Sequence, residues 1–407
     1  MERQPHDLPK DPHDDGSSQP KPPRGFPVSE FEHRLSRAQR LMNEQGIAAL
    51  LLTTEPELRY FSGFLTQFWQ SPTRPWFMVV PLGGKPMAVI PEIGAAAMAD
   101  TWIDDIRTWP SPAPEDDGIS LLAWTLLEVA GRTGRIGLSM GPETHLRMPL
   151  ADFQTLRTKI SSIELVDATP IIRALRLIKS ETEITKIAAV CNIVSDTFEA
   201  LPNLIAPGDT EETVFRAFKI ELLRRGADDV PYLVGGAGPG GYEDIISPPS
   251  HRPLQSGDVL MLDTGSIFDG YYCDFDRNFA IDPAADATRR AYETLYRATE
   301  AGLRAAHPGA TCADVFARMS RELSNGSESG ITTGRLGHGL GMQLTEWPSL
   351  TPTDQTVLQP GMVITLEPGL SIGPDRMMVH EENVVIRDNG AELLTRRAPV
   401  ELPIIGA

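Results

Sequence analysis

Five polar side chains in the C-terminal half of this sequence stand at the ends of runs that otherwise belong inside a protein. Asp263 closes Val259-Leu260-Met261-Leu262, and Glu367 closes Met362-Val363-Ile364-Thr365-Leu366 ahead of Pro368-Gly369. Glu381 stands beside the apolar stretch that continues into Val384-Val385-Ile386. Asp274 follows Asp263 by eleven residues, after Asp269-Gly270, a turn that lets a hairpin bring the two carboxylates face to face across adjacent strands. His338 lies in Gly337-His338-Gly339-Leu340-Gly341, where glycines allow close backbone approach and leave the imidazole as the only polar side chain. A carboxylate ending a buried strand is partly desolvated, and neighbouring carboxylates repel; a cation relieves both. Taken singly, each such residue is also what an ordinary strand end, turn or hydrogen-bonded structural position carries. Together they form an oxygen-rich ligand set with one nitrogen, which suits Mn²⁺, Fe²⁺, Co²⁺ or Zn²⁺ better than a thiolate-selected metal.

The rest of the chain supplies two domains to carry this set, as a length of 407 residues allows. Residues 1–25 are rich in Pro, Asp, Lys and Ser and read as a flexible tail without a signal-peptide core. Residues 26–168 open with a helix over 29–45, with Ser29 as its N-cap and Gly46 as its stop. Short apolar runs follow at 47–52, 76–81 and 86–90, the last two separated by Gly83-Gly84, which makes this domain an α/β unit. The boundary falls near Ala168. Residues 169–407 alternate helices (180–200, 210–226, 289–306 and 312–323) with strands (259–263, 271–281, 362–367 and 379–386), giving an α+β fold class. Glu183 three residues after Ser180 forms a capping box. Gly235 to Gly241 resembles a phosphate-cradling loop, but no Gly-Lys-Ser/Thr follows, so it reads as a flexible turn bordering the cleft.

A net charge of -18 with no dense Lys/Arg patch excludes nucleic acid as a partner. No run of 18 apolar residues exists to cross a membrane. Cys191, Cys273 and Cys312 are too far apart for a metal clip and odd in number, which points to a reducing cytoplasm. Cys273, next to Asp274, alternates to the opposite strand face and is not expected as a ligand.

The pattern Gly257-Asp258, Asp263-x-Gly265, Gly270-Tyr271-x-x-Asp274-x-x-Arg277, His338-Gly339-x-Gly341, Glu367-Pro368-Gly369 and Glu381 before Asn383-Val384 resembles the creatinase, prolidase and methionine aminopeptidase superfamily. Leu58-Arg59-Tyr60-Phe61-Ser62-Gly63 after an opening helix is similar to the N-terminal domain of the prolidase, aminopeptidase P and creatinase branch. The resemblance implies a pita-bread fold in the second domain and a creatinase-like first domain. It also implies a homodimer, and two divalent cations held by Asp263, Asp274, His338, Glu367 and Glu381. Two bridged cations lower the pKa of a shared water and polarise a carbonyl. Glu367 is similar in position to the family's proton-shuttling glutamate, which takes the water's proton and passes it to the leaving amine. The implied activity is Xaa-Pro dipeptidase- or aminopeptidase-like cleavage of an amide C–N bond in a short peptide.

The departures matter as much. Prolidase-like peptidases carry substrate-binding histidines outside the metal shell; the corresponding places here are near Ile246, at Gly334 and at Thr345 in Thr345-Glu346. His251 is the nearest histidine, and His380, beside Glu381, is a candidate substitute. Thr345 is a candidate substrate contact. Trp69 and Arg74 lie in a first-domain loop that in the resembled branch reaches a partner's active site; they read equally as packed loop residues. The absent histidines leave open a small non-peptide substrate on the same scaffold, as in ectoine hydrolases, creatinases and dimethylsulfoniopropionate lyases. A non-catalytic binding member of the family is a third reading, against which the complete ligand set argues.

Overall fold

The computed structural model describes residues 21–326, 334–373 and 375–406, so the first twenty positions of the expected tail lie outside the described residues. The first domain is built on helix α1 (Val28–Gln45) and a six-stranded mixed sheet. Its strands are β1 (Ala49–Leu52), β2 (Phe77–Pro81), β3 (Met87–Pro91), β4 (Asp105–Trp109), β5 (Arg135–Leu138) and β6 (Glu164–Asp167), in the order β4-β3-β2-β1-β5-β6. All of β1, β2 and β3 is buried, because helices cover both faces and no alternation of polar residues is required. Helix α1 ends as expected at Gly46, which adopts a left-handed conformation at φ 64°. Its start differs: Pro27, not Ser29, is the N-cap, and no side chain caps the helix. Pro27 supplies the extended φ of an entry without needing an amide proton. The motif from Leu58 to Ser62 lies in α2 (Glu55–Ser62), stopped by Gly63 at φ 75°.

Three more helices, α3 (Ala95–Ala99), α4 (Ile119–Ala130) and α5 (Leu150–Lys159), flank the first sheet, and α6 (Thr169–Leu177) leads out of it. Helices α7 (Glu181–Ala200) and α8 (Glu211–Arg225) then pack on a second sheet. Ser180 and Glu183 close the expected capping box at the start of α7. The second sheet contains β7 (Asp229–Pro239), β8 (Asp258–Phe268), β9 (Tyr271–Tyr272), β10 (Phe275–Ile281) and, beyond the last helices, β18 (Ile404–Ile405). Helices α9 (Asp286–Ala305) and α10 (Cys312–Gly326) pack together. The third sheet is β12 (Glu346–Ser349), β11 (His338–Gly339), β13 (Val363–Leu366), β16 (Glu382–Arg387) and β17 (Gly390–Leu393) in that spatial order, with β14 (Gly369–Gly373) and β15 (Arg376–Val379) as a separate ribbon.

The glycine-rich stretch from Gly235 is not a turn: through Pro239 it forms the end of β7, paired residue for residue with β8. A Cβ at Gly235 would come within 2.2 Å of the Met261 carbonyl oxygen, so the glycine permits the strands to approach. One apolar cluster runs from Phe31 and Leu58 in the first domain to Leu262 and Phe275 in the second. Arg24 pairs with Asp228 at 2.7 Å, and the Gly25 amide donates to Asp269 at 2.8 Å, so residues 24–25 lie against the second domain.

Candidate metal centre

The second and third sheets bring their strand ends together, and the polar residues meet there. One ligand atom from each of Asp274, His338 and Glu381 lies within 4.8 Å of the other two. Two tetrahedral ligands of one cation, each about 2.0–2.2 Å from it, stand about 3.4 Å apart, so a bound cation needs this group to close by no more than about 1.4 Å. His338 Nε2 is 3.3 Å from Asp274 Oδ2 and 3.6 Å from Glu367 Oε2. Its Nδ1 is 2.8 Å from the Gly339 carbonyl oxygen, which can only accept, so Nδ1 carries the proton and Nε2 presents its lone pair to the carboxylates.

Backbone packing sets these positions. A Cβ at Gly337 would meet the Thr365 carbonyl oxygen at 2.3 Å, and one at Gly339 the Trp347 carbonyl oxygen at 2.5 Å, which explains the glycines around His338. Asn383 clamps Asp274: the Asp274 amide donates to Asn383 Oδ1 at 2.9 Å, while Asn383 Nδ2 donates to the Asp274 carbonyl. That pair of bonds ties the second sheet to the third beside the cluster. Asn383 entered the sequence reading only as part of a motif, because nothing local shows which backbone an amide will clamp.

The hairpin does not place Asp263 opposite Asp274. Its register pairs Asp263 with Asp276, and Asp274, two residues earlier on the same face, is the diagonal neighbour. Asp276 is therefore a further carboxylate of the cluster, missed because its register partner is decided by how far β8 and its return strands run. Cys273 lies on the other face and points its thiol at the Thr264 and Ser266 carbonyls.

Burial without compensation dominates the electrostatics. Asp263 Oδ1, Asp276 Oδ2 and Glu381 Oε1 are buried without a hydrogen-bond partner among the described residues. Burial, then repulsion from neighbouring carboxylates, holds the Asp263 and Glu381 carboxyls well above the usual range. Asp274 is pushed up to about 6 by burial, with His338 opposing. Burial lifts Asp276 to about 8 against the pull of Arg277. Burial alone would lower His338, but Glu367 and Asp274 raise it. Buried oxygen donors left without a hydrogen-bond partner are what a hard or borderline metal ion would satisfy, so these residues fit divalent cations.

Glu367 sits at the rim, 22 % exposed against 7 % for Asp274. Its Oε1 accepts from Arg335 Nε at 3.2 Å, and Arg335 Nη2 lies 3.5 Å from Thr345 Oγ1. Arg335 was not anticipated: it stands beside Gly334, and its relation to Glu367 depends on the third sheet. Thr345 is exposed near this arginine, whereas His380 turns away. His380 is buried against α9, with Nδ1 2.9 Å from Thr299 Oγ1 and its ring edge-on to Tyr292 and Tyr296. Strand alternation explains why it faces the helix while Glu381 faces the cluster. Trp69 and Arg74 stay in the first domain: Trp69 packs on Trp76, Arg74 on Phe68, and Arg147 donates to the carbonyls of Phe68, Ser71, Thr73 and Arg74. Ile246 and His251 are exposed, the latter paired with Glu212 at 3.1 Å.

Two sheets with paired helices, a smaller α/β domain ahead of them and a carboxylate–imidazole cluster between the sheets define a pita-bread metalloprotein with a creatinase-type first domain. The profile of metallopeptidase family M24 matches residues 185–388, and that of the creatinase/prolidase N-terminal domain matches residues 34–178. The chain belongs to metallopeptidase family M24. It is 27% identical over 383 residues to the probable dipeptidase PepE of Mycobacterium tuberculosis, covering 94% of this chain and 98% of that protein. It is 24% identical to the Xaa-Pro dipeptidase of Pyrococcus furiosus, covering 90% and 98%. The crystal structure of dipeptidase PepE from Mycobacterium ulcerans superposes with a TM-score of 0.81 at 27% identity, covering 93% of this chain and 99% of that one.

Proposed function

We propose that the chain hydrolyses the amide bond of a short peptide in the manner of an Xaa-Pro dipeptidase, with two divalent cations held by Asp263, Asp274, His338, Glu367 and Glu381. The observation that carries this reading is the group of ligand atoms from Asp274, His338 and Glu381 within 4.8 Å of one another, with Glu381 Oε1 left without a hydrogen-bond partner, in a domain of the M24 family. Bound cations supply an acidified water and polarise the scissile carbonyl. Glu367, at the rim, accepts the water's proton and delivers it to the leaving amine. Arg335 beside it presents a planar fork of N–H donors and binds and orients: its guanidinium fits the peptide carboxylate, with Thr345 alongside. Names of the relatives support the dipeptide, and the two-domain match supports a homodimer in which the loop bearing Trp69 and Arg74 approaches the partner. Three buried, unpaired cysteines support a reducing, cytoplasmic setting.

The test is a panel of Xaa-Pro dipeptides and their C-terminal amides, assayed with Mn²⁺, Co²⁺ and Zn²⁺. Hydrolysis of the free acids, with Arg335→Gln raising KM for acids but not for amides, is expected. No turnover of any peptide sinks the dipeptidase reading. A second reading, a small non-peptide substrate, draws on Ile246, Gly334 and Thr345 standing where prolidase-like relatives are expected to carry histidines. Turnover of ectoine, creatine or dimethylsulfoniopropionate in place of the peptides would establish it.

A further inference from the structure

Asp276 is 2 % exposed and stands opposite Asp263 in the β8–β10 register. Directly paired residues on one face place their Cβ atoms about 4.5–5.5 Å apart, so the two carboxylates share one side of the sheet at close range. Only Oδ1 of Asp276 is held, by Asn278 Nδ2 at 3.3 Å; Oδ2 has no partner. Asn278 is itself fixed, donating to the Val379 carbonyl at 2.7 Å and accepting from Tyr242 OH at 3.1 Å. Tyr242 OH in turn accepts the Val379 amide at 2.6 Å. The anchored Asn278 thus fixes the orientation of the Asp276 carboxylate. The nearest protein cation is otherwise engaged. Arg277 donates to Glu382 at 2.9 Å and to the carbonyls of Glu381, Arg396 and Asp276 itself, and none of these bonds reaches the Asp276 carboxylate.

We infer that Asp276 is an additional ligand of the metal centre, its Oδ2 joining Asp263 on the cation that Asp263 holds. This deepens the metal-dependent reading above and rests on it. With Asp276 included, five carboxylates face a single imidazole, and four already balance two divalent cations in formal charge. The added anionic oxygen favours a hard, higher-coordinate ion, so Asp276 strengthens Mn²⁺ binding more than that of Zn²⁺, which settles for four ligands.

Calorimetric titration of Mn²⁺ and Zn²⁺ into the metal-stripped full-length protein tests the assignment without recourse to activity. Asp276→Asn keeps the shape and offers an N–H donor but is a far poorer ligand. It is expected to weaken Mn²⁺ binding at the more affected site by more than the about 10–100-fold that losing a residue which merely supports a ligand costs, with a smaller loss for Zn²⁺. Asp276→Thr, which suits a strand, is expected to do the same. If instead Asp276 serves only by sharing a proton with Asp263, Asn replaces that hydrogen bond, and unchanged Mn²⁺ affinity in both variants overturns the assignment. Failure of the unsubstituted protein to bind Mn²⁺ or Zn²⁺ at all would remove the metal reading itself. Thermal melts of the metal-free variants check folding: removing one buried carboxyl that has an unpartnered oxygen is expected to leave Tm unchanged or higher.

Discussion

Glu346 and Glu381 are buried to a similar degree, 8 % and 4 % exposed, yet the chain surrounds them in opposite ways. Glu346 accepts from Arg176, from Lys179 at 3.2 Å, and from the amides of Met342 and Gln343 at 2.9 and 3.1 Å. Despite burial, those cations hold it down to about 2. Glu381 Oε1 has no hydrogen-bond partner among the described residues, and burial drives Glu381 the other way. A similar contrast separates Asp269, paired with Lys186 at 2.5 Å, from Asp263. Acid that the protein neutralises itself ties α6, α7 and the link between them to the loops and strands of the second domain; the acid it leaves without a partner lies where the two sheets meet. The comparison teaches that the informative property is whether a buried carboxylate has a partner, since burial alone is common to both groups.

The largest test falls on the compensated region. Glu346→Gln leaves Arg176 and Lys179 without their shared anion and should cost about 3–5 kcal/mol in denaturant unfolding, with or without metal. An unchanged midpoint would erase the distinction from that side. In the uncompensated region, Asp274→Ala should lower peptide turnover by about 10²–10³-fold or more, the scale of losing a preorganised electrostatic group, together with bound metal. Full activity and metal content in that variant would break the comparison from the other side. Mn²⁺ at 100 times its Kd should stabilise the metal-free protein by about 2.7 kcal/mol, read as a rise in Tm. The Glu346→Gln variant should show the same increment, because its lesion lies elsewhere.

Acidity provides the finest discrimination, at about 1.4 kcal/mol per pH unit for one group. Glu346 has a folded-state pKa depressed from 4.5 to about 2, so its contribution is complete above pH 4.5 and disappears as pH falls toward 2. Asp274 has a folded-state pKa raised from 3.8 to about 6, so in metal-free protein its penalty is absent below 3.8, grows as pH rises from 3.8 to 6 and is complete above that. Metal-free protein should therefore gain stability from pH 7 to 5, whereas metal-loaded protein should not. Parallel pH profiles for the two forms would contradict this assignment of the charges.

Much of this was legible before any coordinates. Asp263, Glu367 and Glu381 could be picked out because each interrupts or borders an apolar run, a signal carried by adjacent residues. Gly46 and the Ser180–Glu183 box ended and began helices as read, since capping is settled within one turn. Ser29 failed as a cap because Pro27 offered an earlier extended entry, and Gly235 to Pro239 failed as a turn because β8 provided a long strand to pair with. Asp276 opposite Asp263, Asn383 across to Asp274, and Arg335 on Glu367 belonged to the tertiary structure alone. Local order along the chain determines which residues are buried, which turn and which cap. Register and pairing between distant segments depend on the packing of whole sheets, and that packing decided which buried acids found a partner and which were left to bind a metal.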